Sequence, residues 1–346
     1  MSWARYGALS IPWKALVLLC LTASAAAAQP ATIGIIDVYG LRTVPEQRVR
    51  EALGIREGDP MPSRSALMSR LAAVPGVTRA DITTVCCADG KTILFVGVAE
   101  SSEAARPRAM VRGTRRPAED VLRTAAALDA ARTAAIARGD AGEDVTQGHS
   151  LMNDSTTRAL QQRFVGFAER DLDNLRLVLR EAGESNHRAV AAQVLAYHED
   201  KQEVVPDLVA AMTDPSPVVR NEAMRALAII APYAGQHPEL GIDVPSAPFL
   251  DLLGSLVWTD RNKASMALMQ LTATRDPQLL GELRARALPA LVEMARWKSE
   301  GHALPAFVVL GRMAGMTEEA IQRAWSRGDR QSVISGAASG ARRPSP

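Results

Sequence analysis

Cysteine is nearly absent from this 346-residue chain, which has only Cys20, Cys86 and Cys87. A small fold held by a disulfide framework is thereby excluded. Neighbours on a strand point to opposite faces, so Cys86 and Cys87 read as two thiols without a shared bond. A strained vicinal disulfide or an intermolecular bridge is the alternative. Net charge is lacking too. The chain carries 40 Lys+Arg against 38 Asp+Glu, and residues 1–28 hold Arg5 and Lys14 but no acid, so the remainder balances. Without a positive field there is little counterion to release, which argues against nucleic acid as a partner. Aromatic residues make up only 4%, apolar residues 47% and charged residues 23%. Such a chain is neither a disordered tail nor a polytopic membrane protein, and it is long enough for two or three domains with cores of their own.

Motifs for catalysis are missing as well. Gly90-Lys91-Thr92 has the tail of a phosphate-binding loop, but Val85 stands where the first glycine belongs, and a hairpin turn accounts for the residues better. His198-Glu199 opens like a zinc-protease helix, but Gln202 occupies the second histidine position. His149, His187, His198, His237 and His302 form no pair at helical ligand spacing. Neither Gly-x-Ser-x-Gly nor Ser-x-x-Lys occurs. No catalytic residue, metal ligand or cofactor is therefore assigned, and the chain is expected not to be an enzyme.

Long apolar runs are lacking after the amino terminus. Arg5 and Lys14 precede an apolar run at 15–21, and the small residues 22–28 end in Ala26-Ala27-Ala28. This is the pattern of an export signal cut after Ala28. The run falls short of the roughly 20 apolar residues of a spanning helix, the requirement of an uncleaved anchor. A lipoprotein reading of Cys20 is weaker, because Leu18 and Leu19 precede it. The expected product is periplasmic or secreted, with no integral membrane segment after cleavage.

From 31 to 100 the chain reads β-α-α-β-β. A β-branched strand ends at Gly40, Pro45 opens a short helix carrying Val49 and Leu53, and Ser63 caps a second helix carrying Leu67 and Leu71. Two extended runs then flank Ala88-Asp89-Gly90-Lys91, a hairpin turn. Val38-Tyr39-Gly40, Gly58-Asp59, the Leu71…Val74-Pro75-Gly76-Val77 passage and Val96-Gly97-Val98-Ala99-Glu100 make this stretch similar to a POTRA domain. That resemblance implies a periplasmic module that binds polypeptides, often by adding a strand to its sheet edge. POTRA domains usually come in tandem before a membrane barrel; no alternating barrel strands follow in the sequence here, which argues against a translocase pore.

Residues 101–163 read as an Ala- and Arg-rich connector, helical at 117–138 and a loop at 139–155. From 164 to 329 helical periodicity is sustained, with runs at 172–182, 188–197, 204–212, 218–231, 249–258, 263–272, 279–297 and 303–313. Arg188…Ala191…Leu195 repeats as Arg220…Ala223…Leu227 and Arg261…Ala264…Leu268, and Ala303…Ala306…Leu310 continues without the basic residue. Asp214-Pro215-Ser216-Pro217-Val218-Val219-Arg220 resembles the HEAT-repeat signature. The resemblance implies that Asp214 and Arg220, and with them Arg188 and Arg261, hold turns and tie neighbouring repeats. It also implies that the second helix of each repeat lines a concave face where partners lie. Asn221, Arg225, Asn262 and Lys263 are the candidates for that face. Two turns, 258–263 and 297–302, each set a tryptophan beside polar groups and could join into one site, which adds Trp297 and His302. Residues 330–346 read as a disordered tail. The expected fold is multidomain and mainly α, a small POTRA-like α+β domain followed by an α-solenoid of HEAT-like hairpins. The expected function is that of a protein-binding adapter in the cell envelope. The alternatives are a structural envelope protein without a stable soluble partner, and an enzyme with a polar site at the two tryptophan turns.

Overall fold

A computed structural model describes residues 31–88, 90–100 and 111–340. The expected export signal at 1–28 lies outside them, as do residues 341–346.

Strand β1 (Ile33–Tyr39) stops at Gly40, whose φ is +86° and where a Cβ would stand 2.1 Å from the Val98 carbonyl oxygen. Helix α1 (Glu46–Leu53) follows Pro45, and α2 (Arg64–Ala72) is capped by Ser63, whose hydroxyl accepts the Ala66 amide. Strands β2 (Arg79–Ala88) and β3 (Lys91–Ala99) form the hairpin. The sheet order is β1-β3-β2, with β1 parallel and β2 antiparallel to β3. A parallel pair needs a crossover, and α1 and α2 supply it. Their Val49, Leu53, Leu67 and Leu71 bury against Ile36, Val38, Leu94, Val96 and Val98 on one face. Period two sends Asp37, Tyr39, Ile93, Phe95 and Gly97 to the other face, and Tyr39, Ile93 and Phe95 join the core of the helices that follow. The sheet is thus buried on both sides. Cys86 is disulfide-bonded, which corrects the expectation of a free thiol there.

The segment read as a connector carries a core after all. Helix α3 (Glu119–Ala137) buries Val121, Ala125 and Leu128, one stripe at i, i+4 and i+7, and packs on α4 (Ser155–Arg170). Alanine lets the two helices approach, so few large anchors suffice. Between them β4 (Glu143–Asp144) and β5 (Leu151–Met152) pair antiparallel, and Leu151 and Met152 are buried where a loop was expected.

Helix pairs then stack. Helix α5 (Leu172–Glu181) packs on α6 (Ser185–Leu195), and α7 (Lys201–Ala211) on α8 (Pro217–Gln236). The next pairs are α9 (Ala247–Leu252) with α10 (Trp258–Leu271), and α11 (Pro277–Arg286) and α12 (Leu288–Ala295) with α13 (Glu300–Met313). The run expected at 279–297 is split in two because Pro289, with no amide hydrogen, opens a new helix. Helices α6, α8, α10 and α13 pack on one another in sequence as an inner row. This row carries one continuous core. After α14 (Glu318–Ser326) the expected disordered tail is instead helix α15 (Arg330–Gly340). Val333, Ile334 and Ala337 are buried on it, and it covers the end of the stack at α12 and α13, the apolar surface a last repeat would otherwise leave wet. Among the described residues no helix is long and apolar enough to cross a membrane.

Candidate functional site

The repeated arginines form a ladder. Each reaches back six residues to a carbonyl of its own turn: Arg188 to Ala182, Arg220 to Asp214, and Arg261 to Ser255. Each also reaches forward to an acid of the next repeat. Arg188 grips Asp214 with two bonds at 2.7 and 2.8 Å, Arg220 grips Asp260 at 2.9 and 2.8 Å, and Arg261 meets Glu293 at 2.7 Å. Two-pronged guanidinium–carboxylate pairs fix orientation as well as distance, so the ladder sets the angle between successive repeats. Asp260 is spent in this role, also accepting from Ser255, and His302 is taken by the Ser299 hydroxyl at 2.7 Å. The two groups share no hydrogen bond among the described residues.

Those turns do meet, but around the sheet. Phe95 stacks on Trp258 at 4.7 Å, and Trp297 and His302 flank it at 5.2 and 5.4 Å. Arg261 lies over the Tyr39 ring at 4.7 Å, and the Tyr39 hydroxyl donates to the Leu256 carbonyl at 2.8 Å. Trp297 is buried, so as a partner-binding candidate it is corrected: its surface is already covered by this chain's own sheet. Among the described residues the indole N–H groups of Trp258 and Trp297 find no acceptor. Two carboxylates add to the polar contacts of the joint. Glu293 accepts the Gly40 amide at 2.6 Å. Asp37 accepts the amides of Lys298 and Ser299 at 2.8 and 3.1 Å. Three residues before the first residue of an inner helix, Asp214 serves the Ser216 amide and Ser255 serves the Val257 amide. Trp297 holds that position ahead of α13 and cannot do the same. Asp37 of β1 supplies the missing carboxylate from the sheet. Burial pushes its pKa up, against those two amides and the Lys298 ammonium.

Asn221, Arg225, Asn262 and Lys263 lie on α8 and α10. Asn221 donates to Glu222 at 3.1 Å, and Asn262 is buried, which removes it from an accessible face. Arg225 reaches the β4–β5 turn, bonding Glu143 at 2.5 Å and Ser150 at 3.3 Å. Lys263 has no hydrogen bond or ion pair among the described residues, and burial together with Arg225 lowers its pKa. Beside Arg225 is a half-enclosed cleft of about 30 Å³, lined among others by Arg132 of α3, His149, Gln193 of α6 and Glu222. Its wall is fixed by Tyr197, whose hydroxyl donates to the Ser150 carbonyl at 2.8 Å and accepts from Gln161 at 3.0 Å.

Sequence reasoning missed His149 and Lys201, both nine-tenths buried or more. The three ammonium hydrogens of Lys201 go to the Ala196 and His198 carbonyls and to His149 Nδ1, at 2.9, 2.6 and 3.4 Å. A lysine opening a helix right after Tyr197-His198-Glu199-Asp200 was the only signal available. Burial and the Lys201 charge pull the His149 pKa down to about 4, while Asp144 and the Gln147 carbonyl oppose them. A lowered imidazole pKa means that the unfolded chain takes up the proton first, so stability is lost as pH falls. Between about pH 7 and about pH 5 the loss should be roughly 2 kcal/mol. Urea unfolding at the two pH values checks it, and His149→Phe should flatten the difference.

The fold therefore defines a class, a helical-repeat protein with a small α/β module docked on its inner row. The HEAT-repeat family matches residues 172–250. A designed armadillo repeat protein in complex with the peptide (KR)4 is 17% identical, over 57% of this chain and 96% of that one, with a TM-score of 0.35. Computationally designed armadillo repeat proteins for modular peptide recognition give 17% identity, 55% and 93% coverage and the same TM-score of 0.35. None of the curated proteins matches the chain.

Proposed function

We propose that this chain is a non-catalytic scaffold of the bacterial cell envelope that holds a polypeptide partner on the inner helices. The observation that carries the reading is a line along α10, Thr259, Lys263, Met266 and Gln270, at every third or fourth residue, of which Met266 and Gln270 are exposed and Thr259 and Lys263 half-buried. Met266 is 40% exposed, and Val218 at the start of α8 is 53% exposed. Apolar side chains beside unpaired charge on a repeat face suit an extended or helical guest segment. Residues 31–100 we read as POTRA-like, a reading supported by the element order and by β2 standing at a sheet edge. That edge is a second contact surface, where the Ile82 carbonyl accepts from Arg64. Export rests on residues 1–28.

A photocrosslinking residue in place of Met266, in cells making the full chain, should yield one or two dominant adducts. Ile136, exposed on α3, is the control position. An adduct pattern at Met266 no different from that at Ile136 would overturn the scaffold reading. Export is checked by amino-terminal sequencing of the mature protein, which should begin at Gln29.

A further inference from the structure

Segment 111–116 runs against α5, and an open cleft of about 740 Å³ lies between them, outside the inner row. The segment is pinned in place. The Gly183 amide donates to the Gly113 carbonyl at 2.9 Å, the Asn174 side chain donates to the Arg116 carbonyl at 3.4 Å, and Pro117 is buried. Gly113 passes so close to α5 that a Cβ there would stand 2.1 Å from the Glu181 carbonyl oxygen. The wall of the cleft is therefore formed before any ligand arrives. Its lining holds four arginines, Arg112, Arg115, Arg116 and Arg180, and one acid, Glu181. Arg115 bonds Glu181 at 2.7 Å, and Arg112 has neither a hydrogen bond nor an ion pair among the described residues. The other two lean on acids outside the cleft that are already shared. Arg180 reaches Asp207 at 3.2 Å, but Arg176 holds the same carboxylate at 2.8 Å, and Glu119, the partner of Arg116, also lies 3.9 Å from Arg123. With Glu203, the second partner of Arg176, six arginines share four carboxylates. Asp173 and Glu184 pair with none of the six and do not line the cleft. Donors stand ready as well: the amides of residues 112–116 and the Thr114 hydroxyl make no hydrogen bond among the described residues. Over the whole chain basic and acidic residues nearly balance, so the excess is local and suits one multiply charged group rather than a nucleic-acid backbone.

We propose that this cleft binds a phosphate group, held by the guanidinium groups of Arg112, Arg115, Arg116 and Arg180 and by the amides of segment 112–116. A phosphate carries close to two negative charges at neutral pH and offers several oxygens to planar guanidinium forks. A carboxylate, with one charge, would answer only part of the excess. The cleft is larger than the ion itself, which leaves room for what the phosphate is attached to, a soluble compound or a lipid headgroup. The site lies apart from the inner helices and does not rest on the scaffold reading.

Inorganic phosphate is titrated into the full chain at neutral pH and constant ionic strength, with chloride as the control anion, and followed by amide chemical shifts. Saturable shifts at residues 112–116 and at Asn174 are expected with phosphate and none with chloride. Arg112→Gln should weaken binding about tenfold, the loss of one charge-assisted contact, with an unchanged melting temperature because Arg112 has no partner to lose. Arg123→Gln is the control. It removes the same charge from a side chain 68% exposed and outside the cleft, where water screens it, and should change the affinity by less than about twofold. A second arm measures co-sedimentation of the chain with phosphatidylcholine vesicles carrying phosphatidic acid, against phosphatidylcholine alone. Binding to the acidic vesicles that Arg112→Gln weakens and Arg123→Gln does not, without a response to free phosphate, assigns the group to a lipid headgroup and supports the site. A response to free phosphate alone, with the same sensitivity, assigns it to a soluble ligand and supports the site too. Silence in both arms, shifts that chloride reproduces, or an Arg112→Gln loss no larger than that of Arg123→Gln overturns it.

Discussion

Asp214→Ala should lower the free energy of unfolding by about 3–5 kcal/mol. The side chains of Arg188 and Asp214 are only 3% and 7% exposed, and they exchange two hydrogen bonds. Removing the acid leaves a guanidinium charge inside the core with only the Ala182 and Gly183 carbonyls to hold it, and strips the Ser216 amide of its acceptor. The desolvation of the charge remains after the attraction that offset it has gone. Glu181→Ala is the contrast: its pair with Arg115 has side chains 50% and 46% exposed, and the expected cost is below about 1 kcal/mol. Urea titration of both variants checks the difference. The double variant Arg188→Met with Asp214→Leu should regain much of the loss, because it removes the stranded charge. A cost for Asp214→Ala no larger than that for Glu181→Ala would mean that the ladder does not hold the repeats.

How much of this was legible in the residues follows from range. The ladder was: Arg188, Arg220 and Arg261 recur in phase with small and large apolar positions, and their first contacts lie six residues back, within one turn. The forward acids were only partly legible, because Asp214, Asp260 and Glu293 lie 26, 40 and 32 residues ahead, at no fixed offset. Caps, the hairpin turn and Pro45 are local, and they fell where local chemistry puts them. The docking of the sheet was not foreseen, yet a signal existed. Residues 93–99, Ile-Leu-Phe-Val-Gly-Val-Ala, lack the polar alternation of a sheet with one wet face. Read as a two-sided strand, they call for a second apolar layer. The tryptophans at 258 and 297 stand beside polar residues in the sequence, which points to a site in the turns rather than to a buried joint. Their partners, Phe95 and Tyr39, are some 160 to 260 residues away, and no periodicity spans that distance. The segment 330–340 was misread for composition: small residues and serine suggest a tail, but Val333, Ile334 and Ala337 form one narrow stripe, enough against an end of the stack that needs covering.

Gly97→Val should release the sheet from the inner row while leaving both parts folded. At this residue the sheet lies directly against the turn ahead of α10. A Cβ on residue 97 would stand 2.5 Å from the Leu256 carbonyl oxygen and 2.7 Å from the Tyr39 hydroxyl, against an ordinary contact of 3.4 Å or more. Neither neighbour is free to give. Leu256 belongs to the turn that precedes α10, and Tyr39 already donates to its carbonyl. The sheet itself tolerates a β-branched residue, so the strain is relieved by separation. Trp258 and Trp297, packed on Phe95, would then meet water, and their fluorescence should shift to longer wavelength. Asp37→Ala approaches the same joint from its polar side. It takes the acceptor from the Lys298 and Ser299 amides, and Trp297, in the place Asp214 holds before α8, has no oxygen to replace it. It should produce the same spectral shift without introducing bulk, together with undiminished helix content. Should both variants keep the tryptophans buried, the sheet would have to be held by something other than this joint. If instead helix content falls with the shift, the sheet is part of the fold of the last repeats, and Asp37 is the turn residue that α13 lacks.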